Sequence, residues 1–327
     1  MKSKANKYLT SSVITYLMVI TAFIIVMIMI QTGNTTRLMR SMLVPVCVNI
    51  ILAVSLNLVI GFLGDLSLGH AGFMSVGAYA GCLFSKYFSE ILPSVVRFPM
   101  AMLVGALIAG LFGLLIGIPV LRLKGDYLAI VTLAFGEIIR SVIINLDFTG
   151  GPSGLKGTPQ DSTFVWAFVM VMFTLFIIQN LTDSRHGRAI MSIRDNCIAA
   201  ESCGIKVDNY KLLAFAISAA LAGIAGVIYG HNFSILNAST FDYNLSIEIL
   251  VMVVLGGMGS IRGSILAATV ITVLPEALRF LSDYRMLIYA IVLIALMLFN
   301  QSEKFAPLRS KLTFRKKMSK EVAANGR

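Results

Sequence analysis

Charged residues are scarce in this chain: Asp, Glu, Lys and Arg together make up 13% of its 327 residues, whereas 57% are hydrophobic. A soluble globular domain usually carries about a quarter charged residues. The mean hydropathy is +0.85, so a water-soluble fold of this length would expose large apolar patches. The composition therefore indicates an integral membrane protein with lipid as its solvent.

Cysteine and histidine are also sparse, with four and three residues respectively. The cysteines, Cys47, Cys82, Cys197 and Cys203, show none of the paired spacings typical of metal sites. We therefore expect free thiols, no metal site and no catalytic residues. A phosphate loop of the form GxxxxGKS or GxxxxGKT is missing too, which argues against ATP binding by this chain.

Acidic residues are outnumbered by Lys and Arg, 16 to 27, which gives a formal net charge of +11. The cations collect at both chain ends and in one central segment between long apolar runs, and no basic face is interleaved with aromatic residues. We therefore expect no binding to nucleic acid. Because Lys and Arg accumulate in cytoplasmic loops, the pattern predicts that both termini lie in the cytoplasm.

Long apolar runs, each near the roughly 20 residues that a membrane helix needs, predict an all-α bundle of about ten spans. The predicted spans are residues 13–30, 42–61, 66–88, 99–121, 127–146, 163–181, 211–230, 246–258, 261–279 and 284–300. Glycines interrupt the third, eighth and ninth, as in GDLSLGHAGFMSVGAYAG and LGGMGSIRGS, and predict broken helices. These two stretches leave open either an internal duplication or a chance similarity of small-residue segments.

The first apolar run is long enough to cross a membrane, and QTGNTTR follows it where a signal peptide would have a cleavage site. We therefore expect a retained first span. The predicted organisation is a cytoplasmic N-terminal segment at 1–12, a transmembrane domain at 13–302 and a basic cytoplasmic tail at 303–327. A cytoplasmic segment at 182–210 lies within the transmembrane domain.

This segment, residues 182–210, has apolar residues at helical spacing and a glycine stop near Gly204. Periodicity leaves two interpretations open. The segment is either an amphipathic helix that lies in the lipid headgroups or a helix that docks into a cytoplasmic partner.

Four stretches carry a resemblance to a known family: SLNLVIGFLGDLSLGHAGFMSVGAYAG, LRLKGDYLAIVTLAFGEIIRSVIIN, GRAIMSIRDNCIAAESCGIKVDNYKLLAFAISAALAGIAGVIYG and SIEILVMVVLGGMGSIRGSILAA. In this order they resemble the M-type permease subunits of branched-chain amino acid ABC importers, from about Asn49 to Tyr289. The sequence departs from that family at Cys197, where glutamate is common, and at Asp65, where glutamine is common. Its closing NQSEKFAPL also replaces the usual Arg-Pro-x-Gly-Leu run.

The resemblance implies a multi-pass permease of the plasma (inner) membrane that imports leucine, isoleucine and valine. Its implied partners are an H-type permease subunit, two cytoplasmic ABC ATPase subunits and an extracytoplasmic amino-acid-binding protein. ATP is then used by the ATPase subunits, and no cofactor is expected on this chain. The resemblance also favours docking for segment 182–210. The residues it assigns to ATPase coupling are Gly187, Arg188, Ile193, Arg194, Asp195, Ala199, Ala200, Glu201 and Gly204.

A zwitterionic amino acid needs polar groups along its path through a low-dielectric core. The candidates for the translocation pathway are Asn57, Ser67, His70, Ser75, Tyr79 and Glu137. Glu137 also has a structural interpretation, because it stands three residues before Arg140 and the two charges can neutralise one another. His70 is more simply a packing hydrogen-bond partner than a proton relay. The stretch TGGPSGLKG is either a compact turn or a dock for the binding protein.

Other functions remain as alternatives. A sister permease would carry urea, amides or other amino acids. An ion-coupled secondary transporter would need a cation or proton site at the membrane midplane, and Asp65, Glu137 and Glu248 are isolated from one another in the sequence. A membrane enzyme would need converging catalytic groups, and none stands out.

Overall fold

A computed structural model of the chain describes residues 2–32, 36–121, 123, 125–277 and 294. Contacts divide the chain into two units, Met1–Val273 and Leu274–Arg327, and the helix bundle belongs to the first. The helices are α1 (Lys2–Gln31), α2 (Arg37–Asn57), α3 (His70–Tyr87), α4 (Ser94–Val120), α5 (Asp126–Asn145), α6 (Phe164–Asp183), α7 (Arg185–Asp195), α8 (Cys197–Ser202), α9 (Val207–Gly230), α10 (Tyr243–Gly256) and α11 (Ile261–Ala277). The all-α prediction is confirmed. The predicted span at 284–300, apart from residue 294, and the tail at 303–327 lie outside the described residues.

Five helices in the described part of the chain are long and apolar enough to cross a membrane, at 37–63, 94–120, 126–145, 164–183 and 207–230. Each coincides with one of the predicted spans. The first helix begins earlier than predicted, at Lys2 rather than at residue 13. Residues 2–12 contain neither glycine nor proline, so nothing there breaks a helix.

Two helices are broken, as the glycine-rich stretches predict. α2 runs on into a π-helical segment, Leu58–Leu63, and this segment ends at Gly64. Gly64 has φ 87°, a left-handed conformation that a residue with a Cβ adopts only at a cost. Residues 65–69 are not helical, and α3 then begins at His70. In the same way residues 257–260 separate α10 from α11.

The centre of the bundle is α3, α4 and α9, which pack through small residues. Gly113 of α4 faces Ala219 of α9, with Ala219 Cβ 2.6 Å from where a Cβ at Gly113 would lie. Gly77 of α3 has no room for a side chain because it lies against the backbone of Gly223 in α9, and Gly223 has none because it lies against Gly105 and Ala109 of α4. Small residues allow backbones to approach in this way when hydrophobic burial cannot drive association, as in lipid.

One end of the bundle, here called the ladder end, carries a two-stranded antiparallel ladder. Its strands are β1 (Leu155–Lys156) and β2 (Ile235–Leu236). The stretch TGGPSGLKG forms 3-10 turns followed by β1, so it is a compact turn. Nearby, Arg97 donates from Nη2 to Asp161 Oδ2 over 2.6 Å.

The elbow, defined as α7 and α8 with Asn196 between them, connects α6 to α9. Asn196 has extended backbone, with φ −159° and ψ 104°, which separates the two short helices. Its side-chain Oδ1 accepts a hydrogen bond from Ala199 N over 3.0 Å and so caps α8. The segment predicted to be one short helix therefore consists of two short helices separated by one extended residue.

Candidate functional site

The elbow is held on the bundle by one apolar face. Ile190 and Ile193 are 1% and 4% exposed, and Ala200 of α8 is buried as well. At the start of α7, Gly187 lies so close to the carbonyls of Leu181 and Thr182 that a Cβ would collide with them. Of the residues assigned to ATPase coupling, Gly187, Ile193 and Ala200 therefore pack against their own chain.

The other face of the elbow is open. Ile198, a large apolar residue of α8, is 78% exposed. Asn196, with its extended backbone, separates the two helices, and within α8 Ala200 is buried whereas Ile198 faces solvent. The remaining coupling candidates on this face are exposed: Arg188, Arg194, Asp195, Ala199, Glu201 and Gly204.

Arg194 differs from its exposed neighbours because its side chain reaches back to the bundle. Its Nη1 donates to the carbonyl of Gly61, in the π-helical segment, over 2.9 Å. Its Nε and Nη2 donate to Asp195 Oδ1 over 3.2 and 3.0 Å. Arg194 thus connects the elbow to the end of the broken α2.

The two glycine-rich breaks, far apart in sequence, meet in space. Asn57 is fully buried; its Oδ1 accepts a hydrogen bond from Gly259 N over 2.9 Å, and its Nδ2 donates to Ser264 Oγ over 3.0 Å. Gly61 lies against the backbone of Gly259, with no room for a side chain. We call Asn57, Gly61, Gly259 and Ser264 the joint.

A second polar contact lies beside the joint. Lys211 Nζ in α9 donates to Asp65 Oδ2 over 2.6 Å, and the two side chains are only 12% and 15% exposed. Asp65 is one of the positions at which the sequence departs from the family pattern. Here its carboxylate has a cationic partner, which a glutamine would not require.

A narrow cleft opens where the first turns of α3 and α10 approach α5. It is lined by Leu68, Ala71, Gly72, Leu133, Gly136, Glu137, Phe241, Asp242, Tyr243 and Ser246. Ser246 Oγ accepts from Ala71 N over 3.2 Å, which ties the starts of the two helices together. Glu137 is paired with Arg140 over 2.7 Å, as the i, i+3 spacing suggests, and both side chains are 30% exposed.

The six pathway candidates do not form one group. Asn57 belongs to the joint, Glu137 lines the cleft, and Tyr79 donates to the Leu236 carbonyl at the ladder end over 2.9 Å. Ser67 and His70 are buried near the break, where His70 Nε2 and Ser55 Oγ lie 2.9 Å apart. Ser75 is buried in α3, and its hydroxyl has no hydrogen-bond partner among the described residues.

Sequence reasoning missed four residues of these sites. Asp242 and Tyr243 line the cleft, but they stand in a loop and at a helix start, where no periodicity marks them. The exposure of Ile198 was not predicted, although Asn196, two residues earlier, is a good helix N-cap and signals a new helix. Lys211 was not among the candidate residues, because its partner Asp65 is 146 residues away in the sequence.

Comparison with known proteins agrees with the family resemblance seen in the sequence. A family model described as a branched-chain amino acid transport system permease component matches residues 38–298. The LivM permease protein of the high-affinity branched-chain amino acid transport system of Escherichia coli is 33% identical over 261 residues, covering 69% of this chain and 60% of LivM. The chain thus spans less than two thirds of the length of that relative.

Two further relatives are more distant. The LivH permease protein of the same kind of system in Salmonella typhimurium is 33% identical over 109 residues, which is 33% of each chain. The ribose import permease protein RbsC of Haemophilus influenzae is 27% identical over 248 residues, covering 68% of this chain and 74% of RbsC. No solved structure matches the chain.

Proposed function

Since the chain belongs to the family of permease components of branched-chain amino acid transport systems, we propose that it is the M-type transmembrane subunit of an ATP-driven importer of leucine, isoleucine and valine. It pairs with an H-type permease subunit, two cytoplasmic ATPase subunits and an extracytoplasmic binding protein. The relatives named LivM and LivH, both permease proteins of branched-chain amino acid systems, support the pairing of two permease subunits. ATP is bound and hydrolysed by the ATPase subunits, and this chain supplies the path.

The elbow faces the cytoplasm in this proposal. Arg185, Arg188 and Lys206 are exposed on it or beside it, and such cations collect on the cytoplasmic side of a membrane. The ladder end then faces outward, where the binding protein docks. With both termini in the cytoplasm, the chain consists of the segment 1–12, the permease domain 13–302 and the tail 303–327.

The observation that carries the coupling role is the exposed tip of the elbow. Ile198 is 78% exposed at this tip, and Asp195 and Glu201 flank it as exposed charges. Burial of an isoleucine side chain in a partner groove contributes about 1.5–3 kcal/mol. The flanking charges would fix the register of the contact, because electrostatic complementarity sets orientation more than affinity.

The cleft is the proposed part of the pathway on this chain. It lies beside α5, whose outward residues Tyr127, Ile130 and Ile138 are exposed in the single chain. A second permease subunit placed against α5 would close the cleft into a passage. Glu137 can then face the substrate ammonium group, and the first turn of α3 can face its carboxylate.

The test is uptake of labelled leucine by cells with this gene deleted or restored. We expect uptake to fall on deletion, to return with the gene, and to stop when ATP is depleted while the ion gradient is maintained. An ionophore that collapses the ion gradient should leave leucine uptake largely intact.

The possible results separate the candidate functions. Uptake that follows the ion gradient rather than ATP contradicts an ABC importer and supports secondary transport. If deletion leaves leucine uptake unchanged, the proposal that leucine is the substrate is wrong. Parallel assays with urea, ribose and other amino acids then identify the substrate of this permease.

A further inference from the structure

The joint is shared by both broken helices. Asn57, at the end of α2, holds Gly259 and Ser264, which lie between α10 and α11 and in the first turn of α11. Gly61 fits against Gly259 without space for a side chain. A displacement of the π-helical segment therefore displaces the α10–α11 connection with it, because close-packed backbones do not slide independently.

The π-helical segment ends inside the protein, so its last carbonyls lack helical partners. Gly64 N and Asp65 N both donate to the Val59 carbonyl. The carbonyl of Gly61, which follows, accepts instead from Arg194 Nη1 over 2.9 Å. A cation at a helix C-terminus is stabilising, and more so when the site is partly buried. Arg194 therefore acts as the cap of the broken α2.

The rest of the Arg194 side chain is also fixed. Its Cγ packs over Gly64, 2.6 Å from the position a Cβ would take there. Asp195 accepts hydrogen bonds from Nε and Nη2, which leaves Nη1 directed at Gly61. Because a guanidinium is planar and rigid, this arrangement sets the distance between α7 and the joint.

α7 itself is anchored to the bundle by Ile190 and Ile193. The exposed tip of the elbow, Ile198 of α8, is separated from the last turn of α7 only by Asn196 and Cys197. A push on the tip therefore reaches Arg194 across a few residues, and the anchored α7 limits how far Arg194 can move independently of the bundle. We propose that Arg194 is the positioning residue that transmits movement of the elbow to the joint, and so to both broken helices at once. This inference rests on the proposed importer function.

The test uses the complete importer, with this chain, its permease partner, both ATPase subunits and the binding protein, in vesicles. Three variants are compared. R194Q removes the positive charge, R194K keeps the charge but replaces the planar guanidinium with a single ammonium group, and R185Q is the control. Arg185 is an exposed arginine at the first residue of the same helix. The measurements are leucine imported per ATP hydrolysed and the amount of ATPase subunit that co-purifies.

R194Q should retain the ATPase subunits and their hydrolysis but import about tenfold less leucine per ATP, within the range of typical coupling between sites. R194K should lie between R194Q and the wild type, because an ammonium can reach the Gly61 carbonyl but cannot also hold Asp195 in the same geometry. R185Q should match the wild type. If R194Q does not accumulate in the membrane, the R194K variant provides the test instead. We then expect R194K to import at least threefold less leucine per ATP than the wild type.

Two results overturn the inference. An unchanged ratio in R194Q, or in R194K where that variant decides, shows that the joint does not need Arg194. Loss of co-purifying ATPase in R194Q shows that Arg194 is a contact to the partner rather than a link within the chain. If the wild-type importer itself fails to couple ATP to leucine uptake, the proposed function is wrong, so the two failures are distinguishable.

Discussion

The carboxylate of Asp65 and the ammonium group of Lys211 form a largely buried ion pair, with 2.6 Å between Oδ2 and Nζ. The pair joins the non-helical segment after the break to the beginning of α9. Asp65 Oδ2 and the Gly61 carbonyl thus receive donors from two different elements, α9 and α7. The break is held from both sides at the end of the bundle where the elbow lies.

Removal of one partner of this pair should destabilise the protein more than removal of both. Lys211→Met leaves a carboxylate without its cation in a site where both side chains are at most 15% exposed, and we expect a loss of about 3 kcal/mol in the free energy of unfolding. The double variant with Asp65→Asn should recover at least about 1 kcal/mol. Unfolding of the purified protein in detergent measures both.

Lys206→Met is the matched control, because Lys206 is exposed and precedes α9. It should change the free energy of unfolding by less than about 0.5 kcal/mol. Equal losses in the Lys206 and Lys211 variants would show that the ion pair contributes nothing beyond a surface charge.

Gly61→Ala should disrupt the joint. A Cβ at Gly61 would collide with Gly259 N and Asn57 Oδ1, and both are fixed by their hydrogen bond. We expect destabilisation of about 1–3 kcal/mol, as for overpacked cores. The measurement is the melting temperature of the purified chain.

Gly136→Ala provides the comparison. The nearest atom to a Cβ at Gly136 is Gly69 Cα at 3.8 Å, so the methyl group fits. Alanine also favours a helix over glycine by up to about 1 kcal/mol, so the melting temperature should stay level or rise. A drop as large as that of Gly61→Ala would contradict the close approach at the joint.

Ile198→Asp should weaken binding of the ATPase subunits without affecting the fold. The side chain is 78% exposed in the single chain, so the change costs the isolated protein little. In the partner groove it would bury a charge, and we expect at least about tenfold less ATPase on co-purification.

Ile91→Asp is the control, since Ile91 is 73% exposed and lies between α3 and α4, on the opposite side of the proposed membrane. It should leave the ATPase yield unchanged. Full retention of the ATPase by the Ile198 variant would remove this residue from the docking surface.

The ion pair of Arg97 and Asp161 should be a main support of the ladder end. Arg97 donates from Nε and Nη2 to Asp161 Oδ2 and from Nη1 to the Ser89 carbonyl. Asp161→Ala would leave a guanidinium buried and partly unpaired, at a cost of about 3–5 kcal/mol. Unfolding in detergent measures the loss.

Asp195→Asn serves as the exposed counterpart. Its pair with Arg194 has side chains 40% and 70% exposed, and such pairs contribute less than about 1 kcal/mol. Similar losses in the two variants would mean that the Arg97 pair is not protected from solvent.

Much of the fold could be predicted from the sequence because membrane helices are long and uniform. α2, α4, α5, α6 and α9 each contain a stretch of 18 residues with high mean hydropathy and at most two charged residues, so hydropathy alone places them. The breaks could also be predicted, since glycine clusters mark where a helix can stop.

Contacts between residues that are distant in the sequence could not be predicted from the sequence. Asn57 and Gly259 are 202 residues apart, and neither carries a local sign of the other. The exposure of Ile198 could not be predicted from periodicity, because the extended residue Asn196 interrupts the helix between α7 and α8. Pathway residues were selected for polarity, yet polarity inside a bundle serves packing as readily as transport, as the contact between His70 and Ser55 illustrates.

The long separation within the joint has a consequence for biosynthesis. A ribosome adds about 5–20 residues per second, so the 202 residues between Asn57 and Gly259 take roughly 10–40 s to make. During that interval the Asn57 amide has no joint partner, and an unpaired amide in hydrocarbon costs several kcal/mol. The insertion machinery or trapped water must shelter it until α10 and α11 arrive. A chain truncated before Gly259 would retain the unpaired amide permanently, so the cost would fall on every incomplete chain.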